Sequence, residues 1–269
     1  MRFTSGLYLH RIPYVRVGSD PRPVLVVNGG QGFVARPSPA RAARDARRVA
    51  RLLPGGASFV LVGYEPAPPA DHAMARVVDD LARVIAAEFG TVRLVGISYG
   101  GVVGLHLAAA HPHLVTDLVL LASAHDVSAG GRRRVRRQIA FAEARDLDAL
   151  LHHFAAVFRR PWLNALLRAR LWLGRRTVAA RVNEPAAIVR WLRAVLGASS
   201  PDPAWLGRIT ARTLIVGGSR DQFFGDGRME ETAAGIRHAT LTVLVGETHM
   251  APVERGRDVA AAVSAFLAA

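Results

Sequence analysis

The chain contains no cysteine and no lysine, and only 7% of its residues are aromatic. The lack of cysteine excludes disulfides and thiolate metal sites. No apolar run approaches the roughly 18 residues that a membrane-spanning helix needs, and residues 1–10 lack the basic and apolar regions of a signal peptide. The 269 residues, 51% of them hydrophobic, suit one large domain or one domain with an insertion. We therefore expect a soluble cytoplasmic protein.

Basic residues are in excess, giving a net charge of +14. Aromatic residues are few and no nucleic-acid-binding motif is present, so we expect no nucleic-acid partner. The excess is uneven, because residues 126–200 hold 15 arginines and 5 acidic residues, a net charge of +10. This segment therefore needs an explanation separate from that of the remaining chain.

The most informative motif is Gly96-Ile97-Ser98-Tyr99-Gly100-Gly101, which directly follows the apolar run 92–95. A strand that ends in G-x-S-x-G and continues into a helix forms a tight turn with the serine at its apex. The flanking glycines keep side chains out of the close contact between strand and helix. The motif indicates a nucleophilic hydroxyl at Ser98.

Further short apolar runs, closed by glycine or polar turns, predict buried strands. Helical patterns separate these runs, which predicts a mostly parallel central sheet flanked by helices on both faces. The predicted strands that matter for the site are residues 24–27, 59–62, 92–95, 118–121, 213–216 and 241–245. Residues 126–200 contain only helical patterns, so we predict a core of residues 1–125 and 201–269 with an all-helical cap at 126–200.

A serine nucleophile needs a histidine base and an acid that orients it. Asp221 follows the predicted strand 213–216 and His249 follows 241–245, which gives the chain order Ser, Asp, His. Both side chains should therefore lie at the same edge of the sheet as Ser98. Asp126, which follows the predicted strand 118–121, remains the alternative acid.

Attack on a carbonyl also requires hydrogen-bond donors for the oxyanion. The backbone N–H of Tyr99 should be one donor, since Tyr99 opens the helix after Ser98. The second should come from the glycine-rich loop after residues 24–27, where we assign Gly30, with Gln31 as the alternative.

The glycine-rich loop, the G-x-S-x-G motif, Asp221 and His249 follow one another along the chain. In this order the sequence resembles the α/β-hydrolase fold superfamily over nearly its whole length, and it is most similar to serine hydrolases with a helical cap. The resemblance implies a Ser98–His249–Asp221 triad, with the N–H groups of Gly30 and Tyr99 as the oxyanion hole. Asn28-Gly29 stands where such proteins usually carry His-Gly. We expect no cofactor and no metal, because neither a dinucleotide or phosphate loop nor clustered metal ligands are found.

The leading functional hypothesis is hydrolysis of an ester or thioester through an acyl-enzyme. The alternatives are C–C bond hydrolysis or other cofactor-free chemistry on the same triad, and a non-catalytic ligand-binding member of the fold. The arginines of the cap reflect either genome-wide composition or a basic entrance for an anionic or carrier-bound substrate. Contact of the cap with a membrane surface is a third, less favoured interpretation. The cap contains an apolar stripe, which we expect to pack over the active site. The stripe comprises Trp162, Leu163, Leu166, Leu167, Leu171 and Trp172.

Overall fold

The computed structural model describes residues 3–269 and contains one eight-stranded sheet. The strands, numbered in chain order, are β1 Phe3–Tyr8, β2 Ile12–Val17, β3 Val24–Val27, β4 Phe59–Val62, β5 Val92–Ile97, β6 Val115–Leu121, β7 Arg212–Gly218 and β8 Ala239–Leu244.

Twelve α-helices accompany the sheet in residues 3–269. They are α1 Gln31–Val34, α2 Pro39–Ala50, α3 Met74–Glu88, α4 Tyr99–Ala110, α5 Ala129–Glu143, α6 Leu147–Ala155, α7 Pro161–Leu173, α8 Arg175–Ala179, α9 Pro185–Ala198, α10 Arg228–Gly235, α11 Ala251–Glu254 and α12 Gly256–Ala268. Within residues 3–269, no helix combines the length and the apolar character needed to cross a bilayer.

The strand order is β1-β2-β4-β3-β5-β6-β7-β8. β1 and β2 pair antiparallel to each other and β2 pairs antiparallel to β4, whereas β4, β3, β5, β6, β7 and β8 form parallel pairs. The mostly parallel sheet expected from the sequence is therefore confirmed. In a parallel arrangement, the loops after β3, β5, β7 and β8 all lie at the same edge of the sheet.

Alternation along the strands builds a core on each face of the sheet. In β3, Leu25 and Val27 join the core that contains α3 and α4, whereas Val24 and Val26 join the core that contains α2 and α12. Successive side chains of a strand point to opposite faces, so a short run of apolar residues fills both cores. This explains why the buried strands appear in the sequence as unbroken runs of apolar residues.

Residues 126–200, which we call the cap segment, contain α5 to α9 and no strand of the sheet. The cap segment touches the edge of the sheet at several loops. Arg36 N donates to Arg181 O at 2.8 Å, and Trp191 Nε1 donates to the carbonyl oxygen of Glu65, in the loop after β4, at 3.1 Å. The division into core and cap stays a prediction.

The glycine-rich loop after β3 turns into the short helix α1 at Gln31. One local expectation differs from the structure. The apolar stripe of the cap was expected to be packed over the active site, yet α7 contains no buried residue. The periodicity of α7 identifies its apolar residues, but it holds no information about whether a neighbouring element covers them.

Candidate active site

Ser98 lies between β5 and α4 in a conformation that residues with a side chain rarely adopt. Its φ and ψ are 54° and −118°, and Tyr99 immediately begins α4. A positive φ at a residue other than glycine is strained, and such strain accompanies functional positions. The turn places the Ser98 hydroxyl at the edge of the sheet, where the side chain remains partly accessible.

The glycines of the motif permit the close contact between strand and helix. A Cβ on Gly96 would collide with the backbone of Gly100 and Gly101, and a Cβ on Gly100 would collide with the carbonyl oxygen of Val27. A Cβ on Gly101 would lie 2.5 Å from the side chain of Ser123. Larger residues would push α4 away from β5 and β3 and would displace Ser98.

Ser98 and His249 are joined by a hydrogen bond, although 151 positions of sequence separate them. The Ser98 Oγ lies 2.8 Å from His249 Nε2. The other ring nitrogen, Nδ1, lies 2.8 Å from Asp221 Oδ2. A histidine that donates from Nδ1 to a carboxylate has Nε2 free to accept a proton from the serine hydroxyl.

The Asp221 carboxylate is fully buried and three hydrogen bonds satisfy it. Its side chain is 0% exposed, against 12% for His249. Besides the bond to His249, Oδ1 accepts from the N–H groups of Phe223 at 2.7 Å and of Phe224 at 2.9 Å. These donors fix the carboxylate, so it can hold the imidazole in one orientation.

The neighbouring Gln222 was not identified from the sequence. Its Oε1 accepts from the backbone N–H of His249 at 3.1 Å. The same side chain donates from Nε2 to Val157 O in the cap segment at 3.3 Å. Gln222 therefore fixes the loop that carries the histidine and connects it to the cap segment, and only its position beside Asp221 hinted at this role.

Asp126, the alternative acid, has different partners in the structure. Its buried carboxylate is hydrogen-bonded to Arg132 and lies 3.7 Å from Arg228 Nε. Among residues 3–269, Asp221 is the acid in contact with the His249 ring.

The loop after β3 lies next to Ser98. A Cβ on Gly29 would be 3.5 Å from Ser98 Cβ, while the Gly29 N–H donates to Asn28 Oδ1 at 2.9 Å. The carbonyl oxygen of Gly30 accepts from the first turn of α1, whereas the N–H groups of Gly30 and Gln31 have no acceptor within residues 3–269. Gly30 and Gln31 are thus the free donors of this loop.

Tyr99 supplies a further free N–H, because the first residue of a helix has no acceptor within that helix. Gln31, in contrast, holds its side chain away from the site, since Oε1 accepts from Arg48 Nη1 at 3.0 Å. The free N–H of Tyr99 is adjacent to Ser98 in the chain, and the free N–H groups of Gly30 and Gln31 belong to the loop whose Gly29 lies beside Ser98.

A buried aromatic cluster supports this loop from the cap side. Phe33, Tyr64, Tyr99 and Trp191 contact one another with ring centroids 4.8 to 6.1 Å apart. The Tyr64 hydroxyl donates to Asn28 O, and the Tyr99 hydroxyl donates to Trp191 O at 3.2 Å. Burial raises the pKa of both phenols, so both stay protonated and keep donating.

His72 joins the same cluster, with its ring 4.0 Å from that of Trp191. Burial, reinforced by the positive charges of Arg76 and Arg190, lowers the pKa of His72 to about 4. The imidazole is therefore neutral at physiological pH. No sequence pattern indicates this cluster, because its members come from four separate segments.

Asn183 is a further residue that the sequence did not reveal. Its Nδ2 donates to Phe33 O at 2.8 Å, and its N–H donates to Val34 O at 2.9 Å. Both acceptors belong to α1, so the cap segment secures the helix that directly follows the Gly30 loop. In residues 3–269, no three histidine, aspartate or glutamate side chains converge as a metal site.

The family model for the α/β-hydrolase fold matches residues 61–255, so the chain belongs to the α/β-hydrolase fold family. The match includes Ser98, Asp221 and His249. No curated protein matches the sequence significantly.

Solved structures with the same architecture are similar over almost the entire chain. MGS-M2, an α/β-hydrolase enzyme from a Medee basin deep-sea metagenome library, has a TM-score of 0.79 at 16% identity. The alignment covers 99% of this chain and 98% of the MGS-M2 chain. The meta-cleavage product hydrolase of Pseudomonas fluorescens IP01 has a TM-score of 0.74 at 18% identity, covering 98% and 97%. The enol-lactonase of Burkholderia xenovorans LB400 has a TM-score of 0.70 at 17% identity, covering 96% of both. At these identities the likeness concerns the fold.

Proposed function

We propose that the chain is a serine hydrolase that cleaves a carboxylic ester or thioester through an acyl-enzyme. The observation that carries the proposal is the pair of 2.8 Å contacts that links Ser98, His249 and Asp221 at the strained turn. A serine hydroxyl becomes a competent nucleophile when an oriented histidine accepts its proton.

In the first half-reaction, Ser98 Oγ attacks the carbonyl carbon while His249 Nε2 takes the hydroxyl proton. The N–H groups of Tyr99 and Gly30 hold the oxyanion of the tetrahedral intermediate. The intermediate collapses, the bond to the leaving group breaks, and His249 returns the proton to the leaving alcohol or thiol.

In the second half-reaction, a water molecule attacks the acyl-enzyme and His249 accepts one of its protons. Collapse of the second tetrahedral intermediate releases the carboxylic acid, and the proton returns to Ser98 Oγ. Asp221 remains ionised throughout and stabilises the imidazolium that forms in each half-reaction.

The test is covalent labelling with a fluorophosphonate probe, followed by hydrolysis of p-nitrophenyl butyrate. We expect the wild type to be labelled and Ser98→Ala to be unlabelled and inactive. His249→Gln should lose labelling as well, because the hydroxyl is then not activated. Equal labelling of Ser98→Ala, or no labelling of the wild type, would overturn the proposal.

A substrate panel distinguishes the remaining chemistries. The fold similarity to a meta-cleavage product hydrolase and an enol-lactonase is the reason to include a C–C bond substrate and a lactone beside esters and acyl thioesters. We expect esters or thioesters to have the highest kcat/KM. A labelled Ser98 without turnover of any activated ester would favour a ligand-binding role.

A further inference from the structure

The helix α7 exposes an apolar surface that no other part of the described chain covers. Trp162, Leu166, Trp172 and Leu173 are 56%, 59%, 57% and 76% exposed. They are half of the eight large hydrophobic side chains that are exposed in residues 3–269. Isolated exposed hydrophobic residues are ordinary, but a contiguous group of this kind marks an interaction site.

Helical spacing brings these side chains together. Trp162, Leu166 and Leu173 are separated by four and seven positions, so they lie along one side of α7. Trp172 adjoins Leu173 at the end of the helix. The inner side of α7 is formed by residues that are only partly exposed: Leu163, Leu167 and Leu171.

The segment that carries this apolar surface holds positive charge only. Residues 159–183 contain seven arginines and no acidic residue. Arg159 pairs with Glu247 at 3.3 Å. The other six are exposed and make no ion pair within residues 3–269: Arg160, Arg168, Arg170, Arg175, Arg176 and Arg181. Their charge is therefore available to a partner.

The combination of exposed tryptophan and leucine with unpaired arginine favours one occupant. A second copy of the chain would bring two such clusters of arginine together, which is repulsive. A nucleic acid would explain the arginines but would leave Leu166 and Leu173 without an apolar partner. An anionic lipid bilayer satisfies both features, since its headgroups attract arginine and its interface accepts tryptophan and leucine.

We propose that this area, the α7 surface, docks onto anionic lipid bilayers with α7 lying parallel to the membrane plane. The α7 surface comprises Trp162, Leu166, Trp172, Leu173 and the arginines Arg168, Arg170, Arg175 and Arg176. Trp162 and Trp172 insert at headgroup level, and the arginines contact lipid phosphates.

The position of the α7 surface relates it to the candidate active site. Just before α7, the backbone N–H of Arg159 donates to Glu254 Oε2 at 2.9 Å, and Val157 O accepts from Gln222 Nε2 at 3.3 Å. Gln222 and Glu254 are close in sequence to Asp221 and His249. A docked bilayer would therefore lie beside the loops that carry the acid and the base.

Co-sedimentation with lipid vesicles tests the proposal. The protein carries the Ser98→Ala substitution, so that it cannot hydrolyse the lipid during the measurement. The result is therefore independent of the proposed activity. We expect vesicles of phosphatidylglycerol and phosphatidylcholine to bind the protein at least about tenfold more tightly than phosphatidylcholine alone. Binding should weaken as NaCl rises from about 0.1 M to about 1 M, because the Debye length falls from about 10 Å to about 3 Å.

Two charge-matched variants separate a local site from general attraction. The cap variant replaces Arg168, Arg170, Arg175 and Arg176 by glutamine. The control variant makes the same change at four exposed arginines that form no ion pair within residues 3–269: Arg44, Arg47, Arg208 and Arg237. We expect the cap variant to bind at least about tenfold more weakly and the control variant to stay within about twofold of wild type.

Tryptophan fluorescence reports insertion directly. The chain has four tryptophans, of which Trp191 is only 3% exposed and Trp205 is partly buried and stacked on the His106 ring. Lipid contact at the α7 surface should therefore affect chiefly Trp162 and Trp172. We expect a blue shift of the emission with anionic vesicles. Replacing Trp162 and Trp172 by phenylalanine should remove the shift while leaving co-sedimentation largely intact.

Three results would overturn the proposal. The first is no binding of the wild type to anionic vesicles. The second is equal loss of binding in the cap and control variants. The third is a different occupant, shown by a dimer or a DNA complex that the cap variant disrupts while vesicles remain unbound. Circular dichroism of each variant verifies that it is folded.

Discussion

Replacement of Asp221 by asparagine separates the orienting role of this carboxylate from its structural role. Asparagine can keep one oxygen in place of Oδ1, which accepts from the N–H groups of Phe223 and Phe224. The amide nitrogen, however, would take the place of Oδ2, which lies 2.8 Å from His249 Nδ1. Because the amide donates a hydrogen bond there, it favours the tautomer with the proton on Nε2, which cannot accept from Ser98.

The expected loss of activity is therefore much larger than the loss of stability. A histidine held in the wrong tautomer lowers kcat by about 10³- to 10⁴-fold, or about 4 to 5.5 kcal/mol in activation free energy. The free energy of unfolding should fall by only about 1 kcal/mol, since the two bonds to the backbone remain. Asp221→Ala would also leave the N–H groups of Phe223 and Phe224 without an acceptor, at about 1–3 kcal/mol for the buried Phe224 N–H, and should be less stable.

The assay is kcat/KM for p-nitrophenyl butyrate, together with the denaturant midpoint of each variant. Asp126→Asn is the matched control, because Asp126 is also buried but contacts Arg132 and Arg228. We expect this control to keep its activity within about threefold, since it removes no contact to a reacting group. Two results would refute the assignment of Asp221 as the acid that orients His249. One is an Asp221→Asn variant that keeps a tenth or more of wild-type activity. The other is an Asp126→Asn variant whose activity falls by the roughly 10³- to 10⁴-fold expected for Asp221→Asn.

Packing and titration determine how three other substitutions should affect stability. Gly100→Ala should prevent folding or lower the thermal midpoint strongly, because its Cβ would overlap the Val27 carbonyl oxygen; circular dichroism melting checks this. Burial holds the pKa of His72 and of His153 at about 4, so the unfolded chain binds more protons and stability should fall as pH decreases from about 6.5 to 4. In urea unfolding, the free energy of unfolding of His72→Gln should depend less on pH than that of the wild type. An unchanged pH dependence would show that His72 is not a source of it. Trp191→Ala should cost about 3–5 kcal/mol in the same assay, and a cost below about 1 kcal/mol would argue against the aromatic cluster.

The sequence was sufficient to predict the sheet and the order of the candidate triad, for physical reasons. Fully buried strands must be apolar on both faces, so runs such as residues 24–27 and 92–95 are recognisable without any knowledge of their neighbours. Parallel strands share one carboxyl edge, so residues that follow β5, β7 and β8 are brought to the same place. This is how Ser98, Asp221 and His249 could be selected.

What the sequence did not reveal depends on contacts between distant segments. Trp191, Tyr64 and Asn183 were missed because an aromatic ring or an amide carries no mark of the partner that it will meet. The exposure of α7 was missed for the same reason, since spacing identifies residues on a common face but not what that face contacts. The proposed oxyanion donor of the loop after β3 could be narrowed only to Gly30 or Gln31, because backbone groups leave no side-chain signature.

The contrast between α7 and α9 has a consequence for how this protein can change over evolutionary time. α9 contributes eight buried residues, whereas α7 contributes none. Substitutions at exposed positions usually alter stability by less than about 0.5 kcal/mol, whereas core substitutions often cost several times more. The α7 surface can therefore diversify at little cost in stability while α9 keeps the Gly30 loop in place, so a change of location or partner need not compromise the reacting groups.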